Sequence, residues 1–129
     1  QTPFVDEPAG GIISNVPDMA RFVQAIMNNS LLKEESKQKM FTPQWQNRQL
    51  DPHSYGLGWY VKKVNQQIPT KIVYHSGYVD GFHSLIVILP QEGIGFFLAN
   101  NTHPTGKTAN WKIVQNSLEV MKEKSIIAE

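Results

Sequence analysis

The chain reads as an α+β fold: an antiparallel meander sheet with a C-terminal helix packed on it and two helices before it. Three observations predict this. Apolar residues recur at helical spacing within 15–42, the period changes to two over 55–100, and helical spacing returns over 108–124. Strand runs that follow one another across short turns pair antiparallel, and helices held to the two ends of such a sheet define α+β rather than α/β. The 129 residues fit one domain.

Turn chemistry dominates residues 1–13, with Pro3, Pro8, Gly10 and Gly11 before the apolar pair Ile12 and Ile13. In N-V-P-D-M-A-R-F-V-Q-A-I-M-N, Asn15 is suited to cap a helix, Asp18 to complete a capping box, and Pro17 to sit in the first turn. Met19, Phe22, Val23, Ile26 and Met27 form its apolar face, and Asn28 to Ser30 end it. A short second helix is expected over 34–40, stopped before Pro43. Residues 42–54 read as a surface loop anchored by Trp45.

Tyr55, Leu57, Trp59 and Val61 alternate with Gly56, Gly58, Tyr60 and Lys62, as in a first strand. N-Q-Q-I-P is a turn, and Lys71 to His75 a second strand. S-G-Y-V-D-G reads as a connection to the third strand, F-H-S-L-I-V-I-L-P, and Q-E-G turns into the fourth, I-G-F-F-L-A-N. After a polar loop over 101–107 the closing helix presents Trp111, Ile113, Val114, Leu118 and Met121 on its apolar side. That helix covers one face of the sheet. The other face and the edges need cover that the chain does not evidently supply, which points to missing partners.

Composition narrows the function. Hydrophobic residues make up 40% and charged residues 18%, which suits a packed core rather than disorder. A net charge of +1 with dispersed Lys and Arg predicts no nucleic-acid partner. The absence of cysteine removes disulfides and thiolate metal sites. No apolar run reaches the roughly 20 residues of a membrane-spanning helix. The chain begins at Gln1 without Met and reads as a processed product or a piece of something longer.

The stretch Y-H-S-G-Y-V-D-G-F-H-S at 74–84 concentrates candidate chemistry. One reading is a metal site on His75 and His83 with Asp80 near. His53 and His103 are the other imidazoles, and none of the four forms a metal-binding spacing. A second is a glycine-rich turn needing positive φ. A third is the wall of an active site. There the glycine admits a ligand to the backbone, the strand edge pairs with an extended substrate, and the next N–H faces a developing oxyanion. Nucleophile motifs of the form S-x-x-K occur at 30–33 and 36–39, but in a polar linker and on a charged helix, where a protected cleft is not expected.

Read together, D-M-A-R-F-V-Q (18–24), Y-G-L-G-W (55–59), H-S-G-Y-V-D-G-F-H-S (75–84), I-L-P-Q-E-G-I-G-F-F-L-A-N-N (88–101) and the final helix resemble the C-terminal part of the class C β-lactamases. They equally resemble the related penicillin-binding D,D-peptidases and esterases. A-G-G-I-I-S-N-V-P-D-M resembles the start of the helix that follows the nucleophile-bearing region of that family. Order and spacing agree over nearly the whole chain.

The resemblance implies a partial β-lactamase/transpeptidase-like fold, in a serine hydrolase that forms an acyl-enzyme with a β-lactam or a D-alanyl peptide. No cofactor is implied. The expected location is periplasmic or secreted and bacterial, with antibiotic resistance the role of the β-lactamases among these proteins. By this likeness His75, Ser76 and Gly77 stand where the family has Lys-Thr/Ser-Gly and bind substrate. The backbone N–H of Tyr78 is the second oxyanion donor, and strand 71–76 is the edge against which substrate lies. The nucleophile and the Tyr-x-Asn/Ser element belong to a part preceding Gln1, so the chain alone is expected to be inactive, to need a missing N-terminal half and to self-associate. Class C β-lactamases place Asn and Arg after the last strand, near the substrate carboxylate. Here Thr102, Thr105 and Thr108 fall there, with Lys107 adjacent. A non-catalytic peptide- or carboxylate-binding module of the same fold is the alternative.

Overall fold

A computed structural model describes residues 9–46, 54–62, 70–79, 81–102 and 106–127. Nine elements follow in order: α1 (Val16–Met27), α2 (Glu34–Met40), β1 (Trp45–Gln46), β2 (Ser54–Tyr55), β3 (Tyr60–Lys62), β4 (Ile72–Val79), β5 (Phe82–Leu89), β6 (Ile94–Asn100) and α3 (Gly106–Glu123). The strands form one six-stranded antiparallel meander in chain order. His53, Asp80, His103, Thr105 and the expected turn over 65–69 lie outside the described residues, as does the side chain of Lys107.

Helix α1 starts as its sequence dictates. The Asn15 side chain accepts the Asp18 N–H at 2.9 Å and returns its own amide to the Asp18 carboxylate at 2.8 Å. Val23 and Ile26 are buried, while Phe22, expected on the same face, is 38% exposed. The helix lies against β6, where a side chain at Gly95 would collide with Val23. Lys37 of α2 ties the two helices together. Its ammonium donates to the Met27 carbonyl at 3.1 Å and to Asn29 at 2.6 Å, and pairs with Glu34 at 2.8 Å.

Alternation along the strands divides the core in two. On one face Val23, Ile26, Phe41, Trp59, Val73 and Ile88 cluster beneath α1 and α2. On the other, Ile72, Tyr74, Leu85, Val87 and Leu89 pack with Val114 of α3. Part of the face expected to lack cover is thus supplied by α1, which lies on β6, and by Met40 and Phe41 at the end of α2. Within α3 the inward stripe is Asn110, Trp111, Val114 and Leu118, whereas Ile113 is 51% exposed. Residues 110, 114 and 118 follow i, i+4 and i+8 spacing, 111 joins 114 and 118 at i, i+3 and i+7, and 113 falls off that stripe. The helix closes with Ser125 at φ 54, while the Ile126 N–H reaches the Met121 carbonyl at 2.8 Å.

Three expectations fail on local grounds. Residues 55–62 are not one strand: β2 and β3 fold back on each other, pairing Tyr55 with Tyr60. Gly58 at φ +80 makes the turn possible, and the Gly56 N–H bonds the Trp59 carbonyl at 2.7 Å. A side chain on Gly56 would strike the Met40 carbonyl, so the turn also docks on the end of α2. Trp45 is no loop anchor; it opens β1, pairs with Tyr55 and is 55% exposed. The connection expected at 76–81 is mostly strand, because β4 continues to Val79 and the chain reverses around Gly81 at φ +81.

Candidate functional site

The H-S-G-Y stretch lies in the outer half of β4. The ladder from β3 pairs Tyr60, Val61 and Lys62 with Tyr74, Val73 and Ile72, and it stops there. On the other side β4 stays paired with β5 throughout, out to Val79 opposite Phe82. Residues 72–74 of the expected substrate edge, 71–76, are therefore occupied on both sides. The stretch that passes beyond β3 is 75–79. β3 is short because the turn at 56–59 starts it only at Tyr60.

A strand sends successive side chains to opposite faces, so the motif is divided. His75 is exposed, its ring 5.9 Å from that of Tyr60 and 6.3 Å from that of Tyr55. Ser76 and Tyr78 face the α3 side with Leu85 and His83, their register partners. Buried His83 packs against Tyr78 with ring centroids 4.7 Å apart. His75 and His83 therefore sit on opposite sides of the sheet, and no shared metal ion is possible. Among the described residues no cluster of three metal-binding side chains occurs.

Gly77 is not a turn glycine. It pairs with Ser84, and a Cβ built on it would lie 2.5 Å from the Ser84 hydroxyl oxygen. Glycine suits the close cross-strand approach here rather than a positive φ, and a side chain would need the Ser84 hydroxyl to rotate away.

A cavity of about 110 Å³ opens between this strand half and α3, lined by Ser76, Gly77, Tyr78, His83, Ser84, Leu85, Asn110 and Trp111. Trp111 is held by an edge contact with Tyr74 at 4.8 Å and by the Lys62 ammonium, 4.7 Å above its ring. Asn110 is only 4% exposed. Its Oδ1 accepts from Asn100 Nδ2 at 2.8 Å, and Asn100 Oδ1 in turn accepts the Thr102 N–H at 3.1 Å. The Nδ2 of Asn110 is buried with no hydrogen-bond partner among the described residues.

Of the residues the sequence singles out as a substrate wall, Ser76, Gly77 and Tyr78 line the cavity and His75 does not. Asn110 and Trp111 line it without being singled out for chemistry, and His83 is weighed from the sequence only as a metal ligand. One signal was present: Asn110 is a polar residue inside an otherwise apolar helical stripe. Thr102 and Thr108, at positions where the family likeness expected carboxylate ligands, are exposed and do not line the cavity. The two S-x-x-K matches also stand apart from it. Ser30 is exposed in the linker, with Lys33 just before α2 begins, and exposed Ser36 precedes a Lys39 that is paired with Glu35 at 2.7 Å.

A meander sheet held between helices, with an H-S-G-Y strand running beyond its shorter neighbour, has the architecture of the β-lactamase and penicillin-binding-protein folds. The chain belongs to the Beta-lactamase family, whose model matches residues 1–117. It is 28% identical to Unguisins hydrolase ungD of Aspergillus violaceofuscus, in an alignment covering 95% of this chain and 26% of that protein. The octameric penicillin-binding protein homologue from Pyrococcus abyssi superposes with a TM-score of 0.63 at 26% identity, over 73% of this chain and 22% of that one. A penicillin binding protein from Bacillus halodurans does so with a TM-score of 0.59 at 23% identity, over 76% and 29% of the two chains. The chain thus spans between a fifth and a third of the length of these relatives. Among the described residues no helix is long and apolar enough to cross a membrane.

Proposed function

We propose that this chain supplies one wall of a serine-hydrolase site that acts through an acyl-enzyme on β-lactam or D-alanyl amide and ester substrates. The observation that carries this reading is the outer half of β4: residues 75–79 extend beyond β3, with a cavity along the α3 side. An extended substrate would pair with that half as an added strand. His75, Ser76 and Gly77 would bind it, and the Tyr78 N–H would meet the oxyanion of the tetrahedral intermediate. Serine addition to the carbonyl forms the acyl-enzyme ester and releases the amine of an amide or the alcohol of an ester; water then cleaves that ester, releasing the acid and restoring the serine hydroxyl. The nucleophile would come from outside this chain, since neither S-x-x-K serine adjoins the cavity. Apolar surface at Ile12, Ile13 and Phe82 supports association with further protein, whether a second copy or the rest of a longer hydrolase.

The test has two parts. Titrating the labelled chain with a D-alanyl peptide should shift backbone amide resonances across 75–79. The same chain should neither hydrolyse a chromogenic β-lactam nor take up a fluorescent penicillin. Absence of any shift along 75–79 removes the substrate wall, and an acyl adduct on Ser30 or Ser36 by mass spectrometry removes the external nucleophile.

A further inference from the structure

We infer that the cavity beside α3 reads a neutral hydrogen-bond acceptor, a carboxamide or ester carbonyl of the substrate, through Asn110 Nδ2, and disfavours a free carboxylate. The inference rests on the substrate wall proposed above and names the chemical group that wall selects.

The orientation of Asn110 is determined by its neighbours. The Thr102 N–H can only donate, so it assigns the oxygen of the Asn100 amide to itself. That leaves Asn100 Nδ2 to donate toward Asn110, whose oxygen must face it. The Asn110 NH2 group is therefore the end left over, on a side chain that lines the cavity. Buried donors are nearly always satisfied in folded proteins, so one without a partner among the described residues marks a place for a ligand acceptor.

The remaining walls specify what carries that acceptor. A cavity of about 110 Å³ exceeds the roughly 10–15 Å³ that one water needs on the same measure, so it accommodates a group of several atoms. Trp111, Tyr78 and Leu85 offer flat apolar surface, and Ser76 a second polar contact. Among the described residues that line it there is no lysine or arginine. The Lys62 ammonium lies over Trp111 and is not among the lining residues. A carboxylate placed here would lose hydration with no lysine or arginine among these lining residues to pair with it, whereas a neutral carbonyl loses far less and gains the Asn110 donor. The positive end of α3 does not reverse this. Its influence fades within the first turn from Gly106, and Asn110 is the fifth residue.

The experiment compares N-acetyl-D-alanyl-D-alanine as its C-terminal carboxamide and as its free acid, each titrated into the isotope-labelled chain. The carboxamide is expected to bind at least tenfold more tightly and to move the Asn110 side-chain NH2 resonances. Asn110→Asp keeps the acceptor for Asn100 and replaces the donor facing the cavity, and should remove that tenfold preference. Ser76→Ala, at a half-buried position, should weaken both probes while leaving the order of preference intact. Equal or tighter binding of the acid overturns the inference. So does carboxamide binding that leaves the Asn110 NH2 resonances in place, or binding of neither probe. Shifts along 75–79 that are the same for both probes defeat the inference and leave the substrate wall standing. Shifts at Asn110 without any along 75–79 do the reverse.

Discussion

The two halves of β4 belong to one strand and obey different physics. Ile72, Val73 and Tyr74 are buried, flanked by β3 and β5, and contribute to both core clusters. From His75 onward the strand keeps β5 but passes the end of β3, and exposure rises to 56% at Tyr78 and 40% at Val79. The inner half holds the outer half in register. A site built on the extension of a core strand inherits the core's rigidity, while its backbone edge lies beyond its neighbour.

The sharpest way to break this contrast is in the inner half. Ile72→Ala should cost about 2–5 kcal/mol, the usual range for truncating a fully buried aliphatic side chain, read from urea unfolding midpoints at constant m-value. A cost below 1 kcal/mol would mean that the inner half is not the anchor. At the junction, Gly77→Ala should cost no more than about 1 kcal/mol, since the Ser84 hydroxyl it meets can rotate to another staggered position. Its partner atom is specific, so in a Ser84→Ala background most of that cost should vanish in a double-mutant cycle. Additive effects would place the glycine requirement elsewhere. In the outer half, Val79→Ala should change stability by no more than about 0.5 kcal/mol, as for exposed positions in general.

The smallest effect lies away from the strand, in the lock between α1 and α2. The Lys37 ammonium, helped by Asn29 and Gln38, holds the Glu34 carboxyl below the usual carboxylate range. A carboxyl with a depressed folded pKa adds stability above its unfolded value, about 4.3, and loses that contribution as pH falls through the folded value. The Glu34→Gln variant should therefore lose less stability than the wild type between pH 7 and pH 3. Identical acid sensitivity of the two would show that the pair adds nothing.

Much of this molecule was legible in its sequence, and the reasons are local. Asn15, Pro17 and the spacing of Val23 and Ile26 specify α1, because capping and amphipathic spacing act within a few residues. Alternation over 82–100 sufficed for β5 and β6, and H-S-G-Y lies on β4. The break at 56–59 was harder to see. Y-G-L-G-W alternates like a strand, and only the approach of Gly56 to the Met40 carbonyl reveals its glycines as a docked turn. The role of Gly77 was hidden for the same reason, since its partner Ser84 lies on the next strand.

By itself, then, the sequence determined the order and kind of the main elements, the family likeness and the strand that bears the motif. Each depends on neighbours close along the chain or on motif order. Only the tertiary structure decided which half of β4 extends past β3, that α1 and the end of α2 pack on the second face, and which end of the Asn110 amide Asn100 takes up. Those outcomes depend on where separate elements meet, and on which end of an amide its partners have already claimed.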